Sequence, residues 1–379
     1  MIVRVLVLGK SRVAEVAAAT VATHPGVRDV QIDSVDPTDA VSIRAAISGA
    51  DIVINSLVPE RSGSAVLEAA IDTGTHYLDA CDHCGYLAAM LKLDNSAKAA
   101  GVCATIGMGV SPGVTNLLAS SAASLLDSVN DVYTAWRVEA LDSFDGADIQ
   151  DPRQAAERWM EQLSGTSIVV RSGQLSHEPP LRAVTLNLTR GRNGTAYTAG
   201  GPEPVCLFRT LAPAGTCASL IVVTPGTAAY LDVLRRDIDR NRLTLEQASA
   251  QLDKPSTWRT LRSLTIASKF KPPGALPPFF AAASGLKDGR RRLVVAELVE
   301  SPLALSAAQR FTTLAHGIGI PLGISLFQLI ESNCFPPGVH PPEAVIDPYR
   351  YFGDLDRYSP HPPWEAMLTV EHADLETGQ

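Results

Sequence analysis

The chain has 379 residues, 46% of them hydrophobic and 19% charged, the composition of an ordinary water-soluble globular protein with room for two domains. Forty acidic against 32 basic residues give a net charge of −8, which speaks against nucleic acid or an anionic membrane as a partner, and no apolar run is long enough to span a bilayer. Six cysteines in a chain of this length are no disulfide framework and point to a reducing cytoplasm.

The first residues, MIVRVLVLGK, have too short an apolar part for a signal peptide and read as a buried strand, Val3–Leu8. An alanine-rich helical pattern follows over Val13–Thr23. The loop between them, Gly9-Lys10-Ser11-Arg12-Val13-Ala14, is half of a dinucleotide fingerprint. The motif asks for glycine at the second marked position, where backbone approaches a pyrophosphate, and this chain has Ser11 there. Ala14 is an accepted third position. A P-loop is excluded, because the glycine it requires ahead of this loop is replaced by Arg4. The next strand, Asp29–Ile32, ends at Asp33, and either Asp29 or Asp33 stands about 20 residues beyond the loop, where an acid holds the adenosine ribose. A helix over Asp39–Ser48 leads straight to the strand Asp51–Ile54. That interval is too short for a further strand and helix, so one unit of the nucleotide-binding half is expected to be missing.

Regular alternation then sets in. The loop Asn55-Ser56-Leu57-Val58-Pro59 precedes a helix over Gly63–Thr73, a strand over Thr75–Leu78 ending at Asp79, and a helix over Leu87–Ala100. Next comes Ala100–Ser120, AGVCATIGMGVSPGVTNLLAS: a short apolar strand, a glycine-rich loop over Gly107–Gly113 and an apolar helix from Val114. Strand, glycine loop and helix start bring backbone N–H groups to a bound anion. Alternation of this kind means a parallel sheet whose ligands lie beyond the carboxyl ends of its strands, the edge shared by Asn55, Asp79 and the Gly107–Gly113 loop. From Val129 the texture changes to α+β. Strands are expected at Val132–Val138, Ser167–Arg171 and Leu181–Leu188, helices at Pro152–Leu163 and Ala228–Leu252, and a long apolar helix at Ala307–Ile330, bent at Pro321. The tail after Pro363 carries no signal.

The Ala100–Ser120 stretch, with DIVINSL at Asp51–Leu57 and HYLDACD at His76–Asp82, resembles the saccharopine dehydrogenase-like oxidoreductases, the family of saccharopine reductase and carboxynorspermidine dehydrogenase. GGPEPVCLFRT (Gly200–Thr210), SGLKDGRRRLVV (Ser284–Val295) and GVHPPEAVIDPYRYFGDL (Gly338–Leu355) resemble further segments of that family. The resemblance implies an α/β, Rossmann-like parallel sheet over 1–125, an inserted α+β substrate and dimerisation domain over 126–330, and a C-terminal segment, 331–379, returning to the first domain. It implies NADP or NAD as cofactor, a small amino-acid-like substrate, and reduction of an imine formed between an amine and an oxo acid, or the reverse. A relative that has lost the dinucleotide and serves another reaction or a binding role is the alternative, supported by Ser11 and the shortened interval. Cofactor binding is expected at Gly9, Lys10, Ser11, Arg12, Val13, Asp33, Asn55, Ser56, Leu57, Gly107 and Met108. Substrate is expected at Ser111, Pro112, Gly113, Asn116, Arg171 and Arg209, arginines being the residues that meet carboxylates. A homodimer built on the second domain is expected from its apolar, sheet-rich character.

Two residues of the strand that ends at Asp79 are candidates for acid–base work. Asp79 could position an amine or shuttle a proton, and the competing reading is a cap on the following helix. His76 is the other, with a core hydrogen bond as its ordinary alternative. Gly109-Val110-Ser111-Pro112-Gly113 also fits the G-x-S-x-G nucleophile elbow. Pro112, however, has no N–H to give an oxyanion hole, a loss of roughly 2.7–4 kcal/mol. The better reading has Ser111 as N-cap and Pro112 at the first helical position. Cys81-Asp82-His83-Cys84 offers metal-ligand types but no second pair at matching spacing, so no metal is expected. Arg290-Arg291-Arg292 after Asp288-Gly289 reads as a solvated hairpin.

Overall fold

A computed structural model describes residues 2–57, 62–138, 152–298, 314–358 and 368–375. In chain order the first elements are β1 (Val3–Leu8), α1 (Arg12–Val21), β2 (Val27–Asp33), α2 (Ala40–Ile47), β3 (Ile52–Asn55), α3 (Ala65–Thr73), β4 (His76–Asp79), α4 (Cys84–Leu91), α5 (Asp94–Ala100), β5 (Cys103–Thr105) and α6 (Val114–Ala123). There follow β6 (Ser128–Arg137), α7 (Pro152–Gln162), β7 (Ser167–Arg171), β8 (Gln174–Glu178), β9 (Ala183–Asn187), β10 (Asn193–Thr198), α8 (Glu203–Leu211), β11 (Cys217–Val222), α9 (Pro225–Asp239), α10 (Leu245–Asp253), α11 (Thr257–Ile266), β12 (Phe279–Lys287) and β13 (Arg290–Leu298). The last are α12 (Leu314–Ser332), β14 (Gly338–His340), α13 (Pro348–Tyr358) and β15 (Leu368–Asp374). The chain forms two compact units. Of the described residues, the first holds those up to 117, 314–358 and 368, and the second holds 118–138, 152–298 and 369–375.

The first unit is built on a six-stranded sheet in the order β2-β1-β3-β4-β5-β14. Every pairing in it is parallel. β1 and β3 are apolar runs buried on both faces, as a parallel sheet between helix layers requires. Strand order reverses at β1, which has β2 on one side and β3 on the other. That reversal opens a crevice at the carboxyl ends of the strands. A complete dinucleotide fold carries one more strand outside β2. Here β2 is the sheet edge and most of its residues are exposed, so the expected loss of a strand–helix unit is what the fold shows.

Three features were not legible as expected. The long apolar helix lies not in the second domain but in the first, packed on α1. Gly319 and Gly323 make this possible: a Cβ at either would come within 2.8 Å of Val16 or Thr20 side-chain carbons. The start assigned to that helix, residues 307–313, lies outside the described residues, as do Val58 and Pro59. Gly338–His340 supplies a sixth parallel strand, pairing with Cys103–Thr105. The tail is not featureless either, since β15 joins the second unit's sheet beside β13, so 331–379 does not all return to the first domain.

The second unit is a nine-stranded mixed sheet, β15-β13-β12-β6-β11-β10-β9, with β7 pairing β11 and β8. Alternate residues of its strands feed opposite faces. Tyr197 and Ile221 pack under α9 and α10 with Leu231, Leu234 and Leu252, while Ala196, Leu220 and Phe280 form the other core. The expected helix Ala228–Leu252 is two, because Asn241 takes a left-handed φ of 55° and Thr244 starts α10 with a capping box. Leu87–Ala100 is likewise divided into α4 and α5. The Asp288-Gly289 turn joins β12 to β13 as a hairpin, as its residues suggest.

Candidate active site at the carboxyl edge of the parallel sheet

Leu8, Asp33, Asn55, Asp79 and Thr105 end neighbouring strands of the first unit, in register or one step removed. Gly9 leaves β1 at φ 137°, and its N–H donates to the Asp33 carbonyl at 2.8 Å, so the glycine turn and the end of β2 are tied together. A Cβ on Gly9 would lie 2.3 Å from Ser56 Oγ, whose hydroxyl donates to the Leu8 carbonyl. Only glycine fits there. Ser11 is the N-cap of α1, its Oγ accepting from the Ala14 N–H at 3.2 Å. Its side chain is therefore turned into the helix start, and the hydroxyl proton remains available to an anion. Arg12 pairs with Glu15, Val13 belongs to the first turn of α1, and Lys10 and Asp33 are exposed.

A buried polar chain runs under this edge. Asn55 Oδ1 accepts from the Leu57 N–H at 3.1 Å, and its Nδ2 donates to Tyr77 Oη at 3.0 Å. Tyr77 Oη donates to Asp79 Oδ2 at 2.7 Å, while Asp79 Oδ1 accepts from the N–H groups of Cys81 (2.9 Å) and Gly107 (2.7 Å). One carboxylate thus holds the loops after β4 and β5, and through tyrosine and asparagine it reaches the loop after β3. Asp79 is 3% exposed, and burial raises its pKa against the opposing effect of its donors. Burial, then the Asp79 charge, pushes the Tyr77 hydroxyl well above its ordinary value.

These facts correct several expectations. Asp79 does not face an open pocket, because both oxygens are used inside the fold. Nor does it cap α4, a role taken by His83, whose Nδ1 accepts from Gly85 and Tyr86 N–H groups. His76 starts β4 and so stands at the opposite, amino edge of the sheet. Its Nδ1 accepts from the Cys103 N–H, its ring stacks on Phe335, and burial lowers its pKa. Half-buried, it is held by these contacts at the start of its strand. Ser111 and Pro112 do not start α6. The Gly109 N–H donates to the Pro112 carbonyl, closing a tight turn, and α6 begins at Val114. A Cβ on Gly113, at φ 116°, would lie 2.2 Å from the Gly109 carbonyl oxygen, so Gly113 serves this closure. Asn116 accepts from the Gly113 N–H and donates to Glu343, tying α6 to the C-terminal segment. Met108 is fully buried, its N–H on the Asp79 carbonyl.

In the second unit Arg171 is engaged by Glu178 through two hydrogen bonds, of 2.9 and 3.0 Å, which leaves that guanidinium committed within its own hairpin. Arg209 is exposed in the last turn of α8. All six cysteines are free thiols. Among the described residues no cluster of metal-ligand side chains assembles, and no helix is long and apolar enough to cross a membrane. The Tyr77 link was the feature missed by sequence reasoning. Its only signal was the i, i+2 spacing of Tyr77 and Asp79, which puts both on one face of β4.

A parallel sheet with its switch at β1, a glycine turn at that switch and a helix N-terminus behind it define a Rossmann-like nucleotide-binding domain. Residues 3–105 match the model of the family described as the saccharopine dehydrogenase NADP binding domain. Over these residues the chain is similar to that NADP-binding domain, which supports NADP or NAD as its cofactor and the general class of an NAD(P) oxidoreductase. The whole fold is similar to that of apo saccharopine dehydrogenase (L-Glu forming) from Saccharomyces cerevisiae, with a TM-score of 0.62, 14% identity, and 99% of this chain and 100% of that chain covered. DAP dehydrogenase from C. glutamicum in complex with DAP also matches, at a TM-score of 0.41 and 14% identity over 93% of this chain and 98% of that one. The residues present fit a dinucleotide: a glycine that no Cβ could replace, a capped helix N-terminus and an acid at the end of β2.

Proposed function

We propose that the chain is an NAD(P)-dependent oxidoreductase acting on a C–N bond of an amino-acid-like substrate. The observation that carries the reading is the Gly9 turn held against Asp33 at the strand switch, within the stretch that matches the dehydrogenase family. Bound nicotinamide supplies hydride to an imine carbon or takes it from the corresponding amine. The chain's own contribution is placement. The α1 N-terminus and the Gly9 backbone hold the pyrophosphate, and Asp33 meets the adenosine ribose. The Asn55–Tyr77–Asp79 chain fixes the loops after β3, β4 and β5. Asp79 is a positioning residue in this reading, and His76 is structural. Because β2 is the sheet edge, the adenosine end has less protein beside it than in a complete fold.

The test is a screen of amine and oxo-acid pairs for NAD(P)H consumption by purified protein. Oxidation of the coenzyme that requires both partners supports the reading, and coenzyme binding with no turnover on any pair counts against C–N chemistry. We further propose a cytoplasmic homodimer joined through the second unit, supported by the exposed face of α11 with Trp258, Leu261 and Leu264. Light scattering at tens of micromolar should give twice the chain mass, and a monomer rejects the dimer.

A further inference from the structure

We infer that this chain selects NAD over NADP, and that Asp33 makes the selection; the inference rests on the dinucleotide site proposed above. In a Rossmann-like domain the end of the second strand is where the adenosine 2′ position lies. An acid there accepts from a ribose hydroxyl, and a 2′-phosphate needs a cation. In this chain that place is fixed by backbone, since the Gly9 N–H donates to the Asp33 carbonyl and Leu8 is in register with Asp33. The Asp33 side chain is exposed, its Oδ1 accepting from the Ser34 N–H.

The surroundings reinforce the choice. From Asp29 to Ile43 there is no lysine or arginine, while Asp36 and Asp39 follow Asp33 on the way to α2. Asp36 closes its own turn on Thr38, and Asp39 caps α2, so both carboxylates are held where they are. Arg28 stands at the far end of β2, and Arg44 is paired with Asp72. Lys10 and Arg12 belong to the glycine loop and the start of α1, and Arg12 pairs with Glu15. A dianionic 2′-phosphate would meet carboxylate where it needs guanidinium or ammonium, and among the described residues no strand lies beyond β2 to bring one in. The family's description names NADP, and this residue points to the other coenzyme.

The experiment is a pair of fluorescence titrations, NADH and NADPH, on the full chain and on Asp33→Asn and Asp33→Arg. The native chain should bind NADH about ten- to a hundredfold more tightly than NADPH, the scale of one or two hydrogen bonds to a charged acceptor. Asp33→Asn keeps an acceptor and removes the charge, so the preference should narrow. Asp33→Arg should reverse it. The site is exposed, so folding should be retained, and circular dichroism checks this. Equal or tighter binding of NADPH by the native chain overturns the inference alone, as does an unchanged preference in both variants. Binding of neither coenzyme by the folded native chain overturns it together with the proposed function.

Discussion

Asp79 shows why a residue's position on a ligand edge does not by itself give its role. Its carboxylate is the acceptor for two backbone N–H groups and a tyrosine hydroxyl, all buried. Asp79→Ala leaves those donors without a partner and should lower unfolding free energy by about 3 kcal/mol or more. Asp79→Asn keeps an oxygen for the Gly107 and Cys81 N–H groups, so most of the stability should return. Its turnover should stay within about tenfold of native, less than removal of a general acid or base usually costs. Denaturant unfolding and a rate on any substrate found by the screen check both; a rate loss of a hundredfold or more in a stable Asp79→Asn protein would restore the catalytic role. His76 gives a pH prediction. Burial holds its folded pKa below 6.5, so the neutral ring favours the fold above that value. Stability should fall as pH drops from 6.5 towards the lowered pKa, because the unfolded chain takes up the proton first. Thermal melts between about pH 7.5 and about pH 5.5 should show this slope, and His76→Gln should flatten it.

At the scale of elements, the strand–helix alternation of the first unit was legible because its apolar runs and alanine-rich faces agree with their breakers. The edge position of β2 was legible for a simpler reason: the chain between Asp33 and Asp51 is too short for more than α2. The sixth strand was not, since a three-residue strand such as Gly338–His340 has no periodicity to read. The site was only half legible. The glycine turn and Asp33 follow from a motif, whereas the Tyr77 link depends on cross-strand register that local pattern does not carry. The α1 cap makes a prediction here. Ser11→Gly releases the Ala14 N–H to the pyrophosphate at a cost of only a few tenths of a kcal/mol in helix stability. Coenzyme affinity should rise severalfold by titration, and a loss would mean that the hydroxyl is itself a needed donor. The α1–α12 contact makes another. A Cβ on Gly323 would lie 2.7 Å from the Thr20 Cβ. Gly323→Val should then overpack the contact by about 1–3 kcal/mol. The melting temperature should drop accordingly, and an unchanged melt would mean that the helices separate freely.

For the whole molecule, chain order put the long apolar helix in the second domain, and packing puts it in the first. A hydrophobic helix of that length invites assignment to a subunit contact, but the Gly319 and Gly323 notches seat it against α1, and it also packs on α13 within the first unit. The proposed function requires a dinucleotide bound at the carboxyl edge of the parallel sheet. Amide hydrogen exchange with and without saturating NADH tests that directly. Bound dinucleotide should slow exchange over Gly9–Ala14 and Asp33–Ser34 and leave β6, β11 and β12 of the second unit unchanged. Unaltered exchange at the Gly9 turn, or protection confined to the second unit's sheet, would contradict it.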